Sequence, residues 1–323
     1  MMLLTYAQAI GQAMKEEMRA DDNVIVFGED VAEFGNIFGI TKGILEEFGP
    51  DRIKNTPISE TAIVGSAIGA AVTGLRPCIE LMYADFALVA FNEIYHNIGK
   101  WRYLHGPEYK LPLVIRMAMG SSFGAGGEHS NCIETLFMHA PGLTIVSPSS
   151  PYDVKGLLKS AIRSDNPVLF FEHKQLYQSK GEVPEEEYTI PLGVADVKRE
   201  GRDVTIVAVS LMVKKALEAA EILADKGISV EVIDPRTIAP FDKETVFESI
   251  RKTHRAVVVE ESHKTGGMGA EIAAMIQEEM YDELDGPVVR VASLDVPLPY
   301  NIEMELYSIP DAQKIVNAVE SLF

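Results

Sequence analysis

Apolar residues along this chain fall into two alternating rhythms. Short runs rich in β-branched residues predict buried strands at Val24–Phe27, Cys78–Met82, Leu113–Met117, Leu143–Ser147 and Val168–Glu172. Between them, helical periodicity predicts helices near Thr61–Gly74, Asp85–Leu104, Asn131–Ala140 and Pro151–Arg163. The same grammar restarts later, with strands at Val204–Val209, Ser229–Asp234, Ala256–Glu260 and Val288–Ala292. Helices are expected there at Met212–Lys226, Lys243–Lys252, Gly269–Met280 and Asp311–Ser321. Ser179–Glu200 breaks the pattern with its charges, its prolines Pro184 and Pro191 and the run Glu185-Glu186-Glu187. Apolar strands alternating with helices predict parallel sheets covered on both faces. The expected fold is therefore α/β, as two consecutive three-layer α/β domains at 1–180 and 201–323, with a linker at 181–200.

A length of 323 residues agrees with two cores. The formal charge of −19 excludes nucleic acid as an expected partner, because its phosphates would be repelled. It fits a basic protein partner or plain solubility. Cys78 and Cys132 are the only cysteines, so neither a disulfide framework nor a zinc site is expected. Met1–Met18 reads as an amphipathic helix with Thr5 and Gln8 at capping-box spacing, rather than a cationic leader. The longest apolar run, Ala62–Leu75, is interrupted by glycine and too short to span a bilayer. A reducing compartment, cytoplasmic or a mitochondrial-type matrix, is the expectation.

Candidate chemistry gathers after strand ends, where parallel α/β sheets place their ligands. Glu60 follows the turn Thr56-Pro57-Ile58-Ser59 and opens a helix of small residues, with Gly65 and Gly69, Ser66 and Ala70, and Ala67 and Ala71 four apart. Such a face lets another backbone approach closely. Glu60 reads either as an acidic first-turn residue complementing the helix dipole or as an acid held in an interface. Glu29 follows the strand at Val24–Phe27, Met82 ends that at Cys78–Met82, and Phe86 follows it. A loop with Gly120, Gly124, Gly126 and Gly127 ends at His129, which reads as a helix cap or as an imidazole brought over a ligand. Met82 and Phe86 would ordinarily be core residues. Gly267-Met268-Gly269 has the look of a dinucleotide turn, but Ile272 stands where the third glycine belongs, so a tight turn into a helix is the better reading. The chain has no Walker sequence, no nucleophile elbow and no Gly-Asp-Gly element of the kind that holds a magnesium-bound diphosphate.

Taken together, several stretches resemble one family over nearly the whole chain. They are Val26-Phe27-Gly28-Glu29-Asp30-Val31, Thr56-Pro57-Ile58-Ser59-Glu60, Gly74-Leu75-Arg76-Pro77, Glu80–Phe86, Glu128-His129-Ser130, Pro141-Gly142-Leu143, Pro151–Leu158 and Asp234-Pro235-Arg236-Thr237-Ile238. The family is the beta subunit of the thiamine-diphosphate-dependent component of 2-oxo acid dehydrogenase complexes, of pyruvate, branched-chain or acetoin type. The resemblance implies a pyrimidine-binding domain followed by a transketolase C-terminal-like domain. It also implies that an alpha subunit holds the diphosphate and Mg²⁺, in an α2β2 heterotetramer, which would explain the missing Gly-Asp-Gly element.

By the same resemblance, Glu60 hydrogen-bonds the 1′ nitrogen of the cofactor's aminopyrimidine, and Phe86 stacks on that ring with Met82 and Ile58 beside it. Glu29 belongs to an acidic path near the cofactor. His129 faces the substrate and assists acyl transfer to a lipoyl group. A potassium ion, held around Leu113, Ala161, Ser164 and Asn166, is a further implication, although relatives often have Asp where Ser164 stands. The second domain would dock the subunit-binding domain of an acyltransferase core, with Asp285 and the Phe323 carboxylate as candidates. The resemblance leaves pyruvate, branched 2-oxo acids and acetoin open, with Glu182–Gly193 favouring the pyruvate or acetoin type. Two rivals stand beside it: a non-catalytic assembly subunit, and a nucleotide-binding α/β protein.

Overall fold

The computed structural model describes residues 1–323, which divide into two units. The first contains residues 1–119 and 136–192, the second 120–135 and 193–323.

In the first unit, strands Thr144–Val146, Val168–His173, Val114–Met119, Arg76–Leu81, Val24–Gly28 and Ile53–Asn55 lie side by side in that order, all parallel. Nearly every residue of the central strands is buried, which explains their continuous apolar runs. The helix Tyr6–Ala20 starts at the Thr5 capping box, closed in both directions with Gln8. It packs on Pro151–Arg163, where Glu16 meets Lys155 and Lys159 at 2.8 Å each and Glu17 meets Arg163 at 2.8 Å.

Three local expectations change. Residues Met2–Thr5 form a strand, antiparallel to Lys180–Val183, so the first helix starts only at Tyr6. Lys180–Val183 and Asp196–Arg199 carry polar residues in a marginal position of their sheets and so lack the apolar signal of a buried strand. The helix expected over Asp85–Leu104 breaks into a 3₁₀ segment Ala84–Leu88, a π turn Glu93–Ile98 and a short α segment Trp101–His105. Its π turn shows in Gly99, whose N–H reaches back five residues to the Ile94 carbonyl at 2.9 Å.

In the second unit the sheet order is Val289–Ser293, Ala256–His263, Val204–Ala208, Val230–Asp234 and Asp196–Arg199, parallel except for the last. Helices Leu211–Asp225, Lys243–Thr253, Met268–Glu279 and Ala312–Glu320 accompany it. Both units are thus α/β layers. No helix in the chain is long and apolar enough to cross a membrane.

Candidate active site

Strand order in the first unit brings three of the candidate segments to one edge of the sheet. Gly28 pairs with Asn55 on one side and with Glu80 on the other, so the carboxyl ends of these three strands are neighbours. Glu29, the Thr56–Glu60 turn and Met82–Phe86 leave from those ends. Cross-links hold them: Thr56 N–H donates to the Gly28 carbonyl at 2.9 Å, and Ala32 N–H to Asn55 Oδ1 at 2.7 Å. Thr61 Oγ1 donates to the Val89 carbonyl at 3.0 Å, tying the Glu60 helix to the turn that carries Phe86.

Glu60 is the first residue of the helix Glu60–Val72 and is buried at 7% exposure. Its helix turns Ile63, Val64, Ala67 and Ala71 inward and leaves Gly65, Ser66 and Gly69 on the surface. A Cβ on Gly65 or Gly69 would meet open space, so no contact inside this chain requires these glycines. Beside the helix opens an apolar cleft of about 360 Å³, bordered by Phe27, Asn55, Thr56, Ser59, Ser66 and Ala70. Ile58, between Pro57 and Ser59, is 81% exposed, and Leu88 and Val89 are exposed close in sequence to Phe86. Phe86 and Met82 are half-buried, and Phe86 packs edge-on against Tyr83 at 5.4 Å between ring centres.

Glu29 is buried, and its Oε1 has no hydrogen-bond partner. Burial pushes its carboxyl above the usual range, and the carboxylates of Glu60, Asp30 and Glu80 push it the same way. A second buried oxygen, Thr56 Oγ1, is also without a partner. Orphaned buried polar atoms of this kind are expected where a ligand completes the hydrogen bonding. The loop after Glu29 is anchored from below. Asn36 Nδ2 donates to Glu80 at 2.8 Å, Arg116 joins Glu80 at 2.9 Å, and Arg116 makes a two-pronged pair with Glu172 at 2.7 and 2.9 Å. Motif reading passed over this buried network, because Glu80, Arg116 and Glu172 look like isolated charges inside apolar strands.

His129 belongs to the second unit, half-buried at the end of the glycine loop. It caps no helix: the following helix starts only at Glu134. Its loop is pinned within that unit by Glu261, Tyr300 and Glu305. The Gly267–Gly269 turn proves to be a helix entry. A Cβ at either glycine would collide with the Glu260 carboxylate, whose Oε1 accepts from Gly269 N–H at 2.9 Å. A protein carboxylate thus occupies the helix start where a dinucleotide would need to place a phosphate.

Comparison with known proteins gives this arrangement a context. Residues 3–180 match the transketolase pyrimidine binding domain, and 193–315 match the transketolase C-terminal domain. The chain is 46% identical to the pyruvate dehydrogenase E1 component subunit beta of Porphyra purpurea, over 97% of this chain and 95% of that one. It is 45% identical to the 2-oxoisovalerate dehydrogenase subunit beta of Bacillus subtilis, over 100% and 99%. The chain belongs to the beta-subunit family of thiamine-diphosphate-dependent 2-oxo acid dehydrogenases.

A third member of that family, the acetoin:2,6-dichlorophenolindophenol oxidoreductase subunit beta of Bacillus subtilis, is 42% identical over 99% of this chain and 97% of its own. Among solved structures, a split gene transketolase described as an inactive beta4 tetramer is similar with a TM-score of 0.81 and 27% identity, covering 99% of this chain and 98% of that one.

Two further positions expected of a beta subunit can be placed. At the turn after Pro151–Arg163, the Ser164 and Ile162 carbonyls accept from Arg76 at 3.0 and 3.1 Å, the Ala161 carbonyl from Ser164 N–H, and the Leu113 carbonyl from Val168 N–H. Asn166 Oδ1 accepts from Arg102 at 2.6 Å. A guanidinium thus supplies positive charge at the turn considered for potassium. In the second unit, exposed Asp285 pairs with Arg255 at 3.0 Å, and Arg255 lies 4.6 Å over the Phe323 ring.

Proposed function

We propose that this chain supplies the aminopyrimidine half of a shared active site, completed by an alpha subunit that binds the diphosphate and Mg²⁺. The observation that carries this reading is the buried Glu60 at the edge where Glu29, Ile58, Met82 and Phe86 converge, in a chain without a diphosphate element. The residues suit the group: a buried acid for a ring nitrogen, half-buried apolar and aromatic side chains for a ring face, and orphaned oxygens on Glu29 and Thr56 for further polar contacts.

When bound, thiamine diphosphate supplies a thiazolium carbon nucleophile for the carbonyl of a 2-oxo acid or of acetoin. Glu60 holds a proton at the 1′ ring nitrogen, raising the acidity of the neighbouring amino group. Phe86 stacks on the ring, and Met82 and Ile58 close its apolar side and exclude water. Glu29 extends the acidic surroundings of Glu60. His129 holds a proton for the acyl transfer to a lipoyl group. Of the residues considered for potassium, Leu113, Ala161, Ser164 and Asn166, only Ser164 shares its carbonyl with Arg76, and no step depends on that ion.

The exposed stripe of Gly65, Ser66 and Gly69, with the apolar cleft beside it, suits close approach of a second subunit within an α2β2 assembly. The second unit is the candidate platform for the subunit-binding domain of an acyltransferase core, and the charge of −19 favours a basic partner there. A reducing, cytoplasm-like compartment suits the two buried free cysteines. Of the possible substrates, the pyruvate and acetoin types are favoured.

The deciding experiment reconstitutes the chain with its alpha partner and follows 2-oxo acid turnover with an artificial electron acceptor. Glu60→Ala should lower kcat by about 10²–10⁴-fold, the range for a lost acid–base group, while the assembly stays intact. Turnover near the wild-type rate in an intact assembly would remove the assignment.

A further inference from the structure

The glycine loop that ends at His129 owes its shape to carboxylates of the second unit, and one of them stands out. Glu305 lies on the short helix Ile302–Ser308 and is 2% exposed. Its Oε1 accepts from Ser122 N–H at 3.0 Å and its Oε2 from Gly124 N–H at 2.9 Å. Between those donors Phe123 adopts φ +52°, followed by Gly124 at φ +74°. This turn points the Ser122 and Gly124 amides to one side, as in the concave backbone nests that hold anions. Glu305 fills that nest with a side chain of the same unit.

Tyr300 completes the clamp. A Cβ on Gly124 would collide with its backbone carbonyl, and one on Gly126 with its ring. These close approaches, as much as the positive φ values, explain the two glycines. The Tyr300 hydroxyl donates to Glu128 Oε2, and this bond holds the Glu128 carboxyl below the usual range. Glu261 Oε1 accepts from Ser121 N–H at 2.6 Å. Residues 121, 122, 124, 126 and 128 are thereby fixed from one side, and the next residue is His129. Phe123, by contrast, is 82% exposed and adds no packing to hold the loop.

We propose that Glu305 is a positioning residue for His129, acting through the two backbone N–H groups of its loop, with Tyr300 as the second jaw. The proposal rests on the reading of His129 as the residue that serves acyl transfer. Neither Glu305 nor Tyr300 touches the reacting atoms in this account. Both set where the imidazole stands, and a displacement of about 1 Å at a reacting group can cost on the order of a hundredfold in rate.

The test uses the reconstituted holoenzyme carrying Glu305→Ala, Glu305→Gln, His129→Ala or the double variant Glu305→Ala with His129→Ala. Exposed Glu303→Ala serves as control. Hydrogen exchange at the Ser122 and Gly124 amides should speed up by about tenfold or more in Glu305→Ala and less in Glu305→Gln, which keeps one acceptor oxygen. Transfer to the lipoyl domain should fall about tenfold or more in Glu305→Ala, while decarboxylation with an artificial acceptor stays within about twofold. The double variant should be no slower than His129→Ala, because both losses act through one side chain.

Unchanged exchange at those amides overturns the clamp. Equal losses of transfer and decarboxylation, or additive losses in the double variant, overturn the positioning role. Should Glu305→Ala fail to assemble, Glu305→Gln carries the same comparisons. Failure of the underlying reading has a separate signature: His129→Ala itself would transfer at the wild-type rate, and exchange would still decide whether the clamp exists.

Discussion

Each unit buries carboxylates, but the two sets live in opposite electrostatic surroundings. In the first, Glu80 and Glu172 flank Arg116, all three almost fully buried. Burial works against the guanidinium charge, but the carboxylates of Glu172 and Glu80 outweigh it and raise the Arg116 pKa. In the second, Glu134 and Glu260 are buried, and each has an oxygen without a partner. Burial pushes Glu134 up to about 7, with Glu261 adding to the rise. Burial and then Glu134 push Glu260 up to about 8, against hydrogen bonds from Gly269 and Met268 and the charge of Arg290. Burial raises the Glu172 carboxyl too, but there the charge and hydrogen bonds of Arg116 work against the rise, whereas no cation opposes it at Glu134.

The largest effect expected from this contrast comes from removing the cation. Arg116→Met should destabilise the protein by about 3–5 kcal/mol, because Glu80 and Glu172 would be left buried without compensation. Denaturant midpoints at constant m-value measure it, and a loss below about 1 kcal/mol would break the comparison.

A smaller effect follows from pH. Both raised carboxyls lie above their ordinary value of 4.5, so the folded chain holds protons that the unfolded chain has released. Their stabilising contribution is complete below that value and is lost as pH rises through about 7 and about 8. Between pH 6 and 9 the melting temperature should therefore fall. Glu260→Gln should flatten that slope by up to about 1.4 kcal/mol per pH unit, the equivalent of one linked proton. A slope identical to wild type would place the linkage elsewhere.

The smallest effect belongs to a surface pair. Arg19 and Glu47 form an ion pair on the first unit's surface, where solvent screens it. Glu47→Gln should leave the denaturation midpoint unchanged within error. A clear loss would mean that burial is not what separates strong pairs from weak ones here.

How much of this could be read in advance depends on range along the chain. Helix Pro151–Arg163 begins at proline with Ser150 as its cap, so local chemistry fixed its ends. Strands such as Val168–His173 announced themselves by unbroken apolar runs. Glu60 could be singled out because its surroundings, a proline turn and a run of small residues, are adjacent in sequence. Glu305 could not: its donors, Ser122 and Gly124, lie 183 and 181 residues away. Nor did the Gly267–Gly269 turn disclose its reason, because the carboxylate that needs the space comes from the preceding strand.

The sequence by itself determined the α/β alternation, the positions of most helices and the family, since periodicity, caps and motif residues are local or strictly ordered along the chain. The tertiary structure decided which strand ends stand together, which helix face stays open, which buried acids find a cation, and what grips the histidine loop. Those outcomes depend on pairings between residues far apart in the chain, and their energies exist only once packing has removed water from between the groups.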